Sequence, residues 1–154
     1  MITFETILAA NPTTEQLAEF KEYASVNAGS DTLLASMLKS AFLAVGEWED
    51  VSLLVCSCRV SVTERECIFE PIHLYGTPDA LDSIQDGRGD EMDGTLVGKD
   101  VILAGGAESV AVTYTTKVDA GSLSRLLPKV YRYATALYDG EDSQALNRIL
   151  TERC

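Results

Sequence analysis

DTLLASMLKSAFLAVGEWEDVSLLVCSCRVSVT, Asp31 to Thr63, changes its hydrophobic period partway along. Leu34, Met37, Leu38, Ala41, Phe42 and Val45 recur every three or four residues, which stacks them on one side of an α-helix that Asp31 can cap and Gly46 nearly ends. After Val51 the period becomes two. Leu54, Cys56, Cys58, Val60 and Val62 alternate with Ser57, Arg59, Ser61 and Thr63, the pattern of a strand with one wet face. Helix and antiparallel strand in one short stretch make the fold class α+β.

Upstream, Thr13 and Gln16 are spaced as a capping box after Pro12. Leu17, Phe20, Tyr23 and Ala24 then share a face up to the stop signal Asn27-Ala28-Gly29-Ser30. Two helices joined by so short a link predict an N-terminal helical hairpin. Downstream, Glu66–Tyr75 is β-rich, and Thr63-Glu64-Arg65 before it is spaced as a hairpin loop, with Pro71 placing that strand at an edge. Asp82, Asp86, Asp90, Glu91 and Asp93, opposed only by Arg88, predict an exposed acidic loop over 82–93. Thr95–Leu103 and Ser109–Val118 predict two strands about Gly105-Gly106.

Pro128 suits the first turn of a helix with Tyr131, Ala134, Leu137 and Tyr138 inward, preceded by a turn over Leu123–Leu127. Asp142 or Ser143 can cap a last helix carrying Ala145, Leu146, Ile149 and Leu150, with Cys154 at the terminus. The expected architecture is therefore a helical bundle, an N-terminal helical hairpin plus C-terminal helices, with a small antiparallel sheet or β-hairpin inserted. At 154 residues, the chain has the length of a single domain spanning 1–154.

Composition excludes several function classes. Lys and Arg number 12 against 24 Asp and Glu, a formal charge of −12, so the surface is not built to neutralise phosphates. No apolar run approaches the 18 or so residues of a membrane span, and Met1–Ala10 has neither the basic start nor the apolar centre of a secretory signal; the expected compartment is a cytoplasm. In that compartment Cys56, Cys58, Cys67 and Cys154 are expected as reduced thiols.

Catalytic and ligand-binding patterns are incomplete. The only histidine, His73, has no G-x-S-x-G turn or paired nucleophile in the sequence. Cys56-Ser57-Cys58 lacks the two-residue gap that presents both sulfurs to zinc, and on a strand these thiols, roughly 7 Å apart, act as small core hydrophobes. Asp86, Asp90 and Asp93 do not follow the spacing of a calcium loop, and Gly98-Lys99 with Gly105-Gly106 do not complete a phosphate loop. Arg88-Gly89-Asp90 is a chance tripeptide in an acidic segment. No cofactor, metal or catalytic residue is expected.

The order of elements resembles the head-to-tail connector, or adaptor, family of long-tailed bacteriophages. The resemblance is carried by Leu33-Leu34-Ala35-Ser36-Met37-Leu38-Lys39-Ser40-Ala41, the strand Val112-Thr113-Tyr114-Thr115-Thr116, Leu127-Pro128-Lys129, Ala134-Thr135-Ala136-Leu137-Tyr138, the acidic Asp139–Asp142 and the last helix. Lys117 stands where the family pattern has Gly, and the β segment is longer than that pattern.

The resemblance implies a non-catalytic ring of about a dozen copies beneath the portal, joining head to tail and extending the DNA channel, in which DNA passes without specific binding. It further implies a virion protein assembled in the host cytoplasm, whose partners are its own copies, the portal protein and a tail or second neck protein, with no membrane. The portal would be engaged by the C-terminal segment through Leu146, Ile149, Leu150 and Arg153, and Asp86, Asp90, Glu91 and Asp93 would line the channel. The alternatives are a neck, tail-completion or tail-terminator protein, or, in a different class, a small cytoplasmic enzyme or regulator.

Overall fold

The computed structural model describes residues 1–26 and 30–153. Among them the order is β1 (Ile2–Ala9), α1 (Thr14–Ala24), α2 (Asp31–Glu49), β2 (Cys56–Val62), β3 (Ile72–His73), β4 (Pro78–Asp86), β5 (Gly94–Val97), β6 (Asp100–Leu103), β7 (Val110–Thr116), α3 (Ala120–Tyr138) and α4 (Ser143–Thr151). The chain divides into two compact units. A β unit holds Met1–Ala9 and Val55–Lys117, and a helical unit holds Ala10–Leu54 and Val118–Cys154. The α+β composition agrees with the sequence, but the helix-dominated bundle does not: seven strands in two antiparallel sheets make a unit of their own rather than an inserted hairpin.

In the β unit a four-stranded sheet has the order β1-β2-β7-β4, and a three-stranded sheet the order β3-β6-β5. The alternation read in the sequence is realised at the centre of the larger sheet. Cys56, Cys58 and Val60 of β2 are buried, as are Val110, Val112, Tyr114 and Thr116 of β7. Tyr114 is fully buried with its polar end satisfied, because its hydroxyl donates to the Tyr75 carbonyl at 2.8 Å and accepts from the Tyr75 amide at 3.1 Å.

Three expectations for this unit are corrected. The expected hairpin between β2 and Glu66–Tyr75 does not form, since β2 pairs with β1 and β7. In its place Arg65 holds the 65–70 loop by donating to the Ile68 and Ala107 carbonyls at 3.3 and 3.1 Å, and only Ile72–His73 enters a strand, paired with β6. Most of the expected acidic loop is edge strand and tight turn: Pro78–Asp86 pairs with β7, its aspartates tolerated because an edge strand has one side in water. Thr95–Leu103 is a hairpin rather than one strand, turning at Gly98, whose φ of 63° suits a residue without a side chain.

In the helical unit α1 begins as the sequence predicts. Thr13 Oγ1 accepts from the Gln16 amide at 3.1 Å, and the Gln16 side chain accepts from the Thr13 amide at 2.9 Å. Its expected stop at Asn27-Ala28-Gly29 lies outside the described residues, as does Cys154. The cap of α2 is Ser30 rather than Asp31, so the acid falls within the first turn, where the helix dipole favours it. Leu34, Leu38, Ala41, Phe42 and Val45 are all buried. Gly46 is also buried: a Cβ there would stand 2.8 Å from the Val51 carbonyl, because the chain folds back over α2 after Asp50. The buried face of α2 meets α3 far more extensively than α1, which overturns the N-terminal hairpin as the organising contact.

Pro128 does not begin a helix. α3 starts eight residues earlier, where Asp119 accepts from the Ser122 amide at 3.1 Å, and Pro128 lies inside it. The apolar face explains this. Leu126, Val130 and Ala134 are fully buried on both sides of the proline, and their burial outweighs the single backbone bond to the Ser124 carbonyl that Pro128 cannot make. Because Pro128 is exposed, Pro128→Ala should restore that bond without disturbing packing; thermal or urea unfolding should show a gain of about 1–3 kcal/mol, and a loss of stability would refute this account.

Candidate interaction surface on the helical unit

Two helix C-termini converge on one lysine. The Lys129 side chain, on the inward face of α3, is only 4% exposed. Its ammonium donates to Glu49 Oε1 at 3.1 Å, at the last residue of α2, and to the Glu152 carbonyl at 2.8 Å, at the C-cap of α4. A cation suits the negative end of a helix dipole, so one buried charge meets the ends of two helices together with a carboxylate.

Beside it Arg132 forms a two-pronged pair with the Glu152 carboxylate, through Nη1 to Oε2 and through Nη2 to Oε1 at 3.0 Å. The Arg132 guanidinium holds the Glu152 carboxyl below its ordinary value of 4.5. On the α1 side, the Tyr131 hydroxyl donates to Glu19 Oε2 at 2.7 Å, and Phe20, Tyr23 and Tyr131 form an aromatic cluster with ring centroids 5.8–6.3 Å apart across its two contacts. Burial first, and then the Glu19 carboxylate, push the Tyr131 phenol above its usual range.

These contacts seat α4 against α3 and α2. Its N-cap is Asp142, which accepts from the Ala145 amide at 2.9 Å. Of the residues expected to engage a partner, Leu150 is buried within its own unit, Leu146 and Ile149 are half-buried, and Arg153 is exposed. Ile149 lines an open groove of about 500 Å³ together with Tyr23, Arg132, Thr135, Ala145 and Glu152. Its lining mixes both signs of charge with small apolar side chains, suited to a protein side chain. Arg132 and Glu19 are not singled out by the sequence, and Lys129 enters it only as part of the Leu127-Pro128-Lys129 motif, with no partner assigned. A lone Lys or Arg one residue off an apolar stripe reads as solvated, and only the i, i+3 spacing of Lys129 and Arg132 hinted at a shared face.

The acidic residues lie on the β unit. Asp86 closes the turn after β4: its Oδ1 accepts from the amides of Arg88 and Asp90 at 2.8 and 3.0 Å. Asp90, Glu91 and Asp93 are exposed, and Glu91 bridges back to Gln85. Cys56 and Cys58 are buried side by side on β2, while Cys67 is exposed. The Cys58 thiol is pushed up by its hydrogen bond with Cys56 and then by burial, making it a poor nucleophile. His73 Nδ1 lies 3.2 Å from Asp100 Oδ1 on the facing strand. Among the described residues no three His, Cys, Asp or Glu side chains converge as metal ligands.

No protein-family model matches the chain, and no curated protein matches it in sequence. Solved structures do match, along nearly its whole length. A chain in the neck of an empty gene transfer agent (GTA) particle, computed with C6 symmetry, superposes with a TM-score of 0.65 at 18% identity, covering 99% of this chain and 97% of that one. A chain of the native GTA virion gives 0.63 at 19% identity over 99% and 97% of the two chains. A chain in the native GTA neck, computed with C12 symmetry, gives 0.59 at 17% identity over 96% and 97%. The chain shares the fold of these particle proteins.

The Arg132–Glu152 pair has a testable pH signature. A carboxyl whose folded value is lowered adds stability that is present above its unfolded value near 4.5 and lost as pH falls through the lowered one. Glu152→Gln should therefore flatten the decline of stability between about pH 5 and pH 3 seen in urea titrations; an unchanged acid profile would dismiss the pair. Lys129→Ala, which strands Glu49 and the end of α4, should cost about 3 kcal/mol, and Lys129→Met clearly less.

Proposed function

We propose that this protein is a structural subunit of the neck of a phage-like particle, a virion protein that performs no reaction. The observation that carries this reading is the fold match to neck chains over almost the full length of both partners. In the finer form of the proposal, the whole chain 1–154 serves as one connector-like domain. Its copies form a ring beneath the portal that joins head to tail and extends the DNA channel, with a tail or second neck protein on the far side.

Two features support the placement of its surfaces. The C-terminal segment offers Leu146, Ile149 and Arg153 outward while Leu150 anchors it, so the portal is engaged by the outer residues and Leu150 acts through packing. Asp86, Asp90, Glu91 and Asp93 concentrate acid on one turn, and a wall of that charge repels phosphates and lets duplex pass without being held. A ring at the tail-completion or terminator position is the second reading. It is favoured by the C6 symmetry of one matched neck, which fits a ring of six as readily as the C12 neck fits a ring of twelve.

Mixing the purified chain with a portal protein of the same particle, followed by negative-stain imaging, tests the proposal. A ring seated on the portal is the expected result, and Arg153→Glu together with Ile149→Asp should abolish it while the chain remains folded. Binding to a tail protein but not to portal would establish the second reading. A protein absent from purified particles would end both.

A further inference from the structure

Phe69 has the most exposed aromatic ring among the described residues, at 75%, yet the loop that carries it is tied down at several points. The ring stands at the corner of a tight turn in which the Glu70 amide donates to the Cys67 carbonyl at 3.3 Å. The turn is fastened to the segment before β7. The Ala107 amide donates to the Ile68 carbonyl at 3.2 Å, the Arg65 amide donates to the Glu108 carbonyl at 3.1 Å, and the Arg65 guanidinium donates to both the Ile68 and the Ala107 carbonyls. Ile68 and one edge of the Phe69 ring lie so close over Gly106 that a Cβ there would stand 2.8 and 3.1 Å from them. Turn corners ordinarily carry Gly, Asn, Asp or Ser, whereas a large ring fixed in water has the form of an anchor that fills a pocket.

We propose that Phe69 anchors a docking site for a different protein of the particle, one that offers an apolar pocket edged with Lys and Arg. The inference rests on the particle reading above and adds a contact on the β unit. Charge selects the partner. Glu64, Glu66, Glu70 and Glu108 are exposed around the turn, and among the described residues none of these carboxylates is paired with a cation. Three of them, Glu64, Glu66 and Glu70, line an open cavity of about 430 Å³ together with Tyr75, which leaves room for a Lys or Arg side chain against an aromatic wall. The cations lining the same cavity, Arg65 and the Met1 ammonium, already donate to backbone carbonyls, and His73 faces Asp100. A copy of this chain does not offer the matching surface. The groove that holds Arg132 and Arg148 also holds Asp139, Glu141 and Glu152, and a net charge of −12 sets copies against each other at an acidic patch. A ring already held in place loses little entropy when a pocket closes on it.

The test places the photo-reactive residue p-benzoylphenylalanine at position 69 in cells that make the particle, irradiates the purified particles and maps the cross-links by mass spectrometry. The expected link joins position 69 to an apolar pocket of a different particle protein with Lys or Arg at its edge. That protein, purified, should bind the full-length chain with an affinity that Phe69→Ala lowers at least about tenfold and Phe69→Leu lowers less. The triple variant Glu64→Gln, Glu66→Gln, Glu70→Gln should make the loss of affinity with added salt shallower. All these side chains are exposed, so the variants keep the fold, which circular dichroism checks. A link to a second copy, to an acidic surface, or to nothing in particles that contain the chain overturns the docking site and leaves the neck reading standing. A wild-type chain absent from purified particles overturns both.

Discussion

The helical unit is organised around a buried ammonium. Lys129 lies on the inward face of α3, and an unpaired charge at that depth would cost several kcal/mol. Its partners must therefore stay where they are: the Glu49 carboxylate at the end of α2 and the Glu152 carbonyl at the end of α4. Apolar packing between helices tolerates small sliding, whereas a hydrogen-bonded charge pair of this kind fixes both position and register. The Arg132–Glu152 pair and the Tyr131–Glu19 hydrogen bond then extend the same restraint to the outside of α4 and to α1.

This arrangement bears on the proposed portal contact through α4. A nine-residue helix is too short to be stable alone, so its presentation to a partner depends on how firmly it is seated. Leu150 and the Lys129 clasp supply the seat, which leaves Ile149, Leu146 and Arg153 in a fixed geometry. A surface held ready in this way loses little entropy when a partner docks.

The β unit obeys a different constraint. Its central strand β7 is paired on both sides, and its buried residues alternate without a break from Val110 to Thr116. The edges are where sequence and structure part. β1 gave no strand signal because the bulge at Ile7 breaks its alternation, moving Leu8 opposite Ser57. β4 gave a loop signal because its aspartates, which blunt an exposed edge, have the composition of a solvated turn.

Periodicity and capping chemistry are local, and what depends on them was legible in the sequence: the four helices, the capping box at Thr13, the Asp142 cap, the alternation of β2 and β7, and the α+β class. Non-local pairing was not legible. No spacing shows that β2 lies between β1 and β7 rather than beside 66–75, that α2 packs on α3 more than on α1, or that a helix continues through Pro128 because apolar residues on both sides of it are buried. The same holds for the candidate surface. Ile149 and Leu150 share an apolar stripe in the sequence, but only the packing of α3 against α4 separates the residue facing the groove from the one serving as anchor, because burial belongs to the assembled helices and not to either alone.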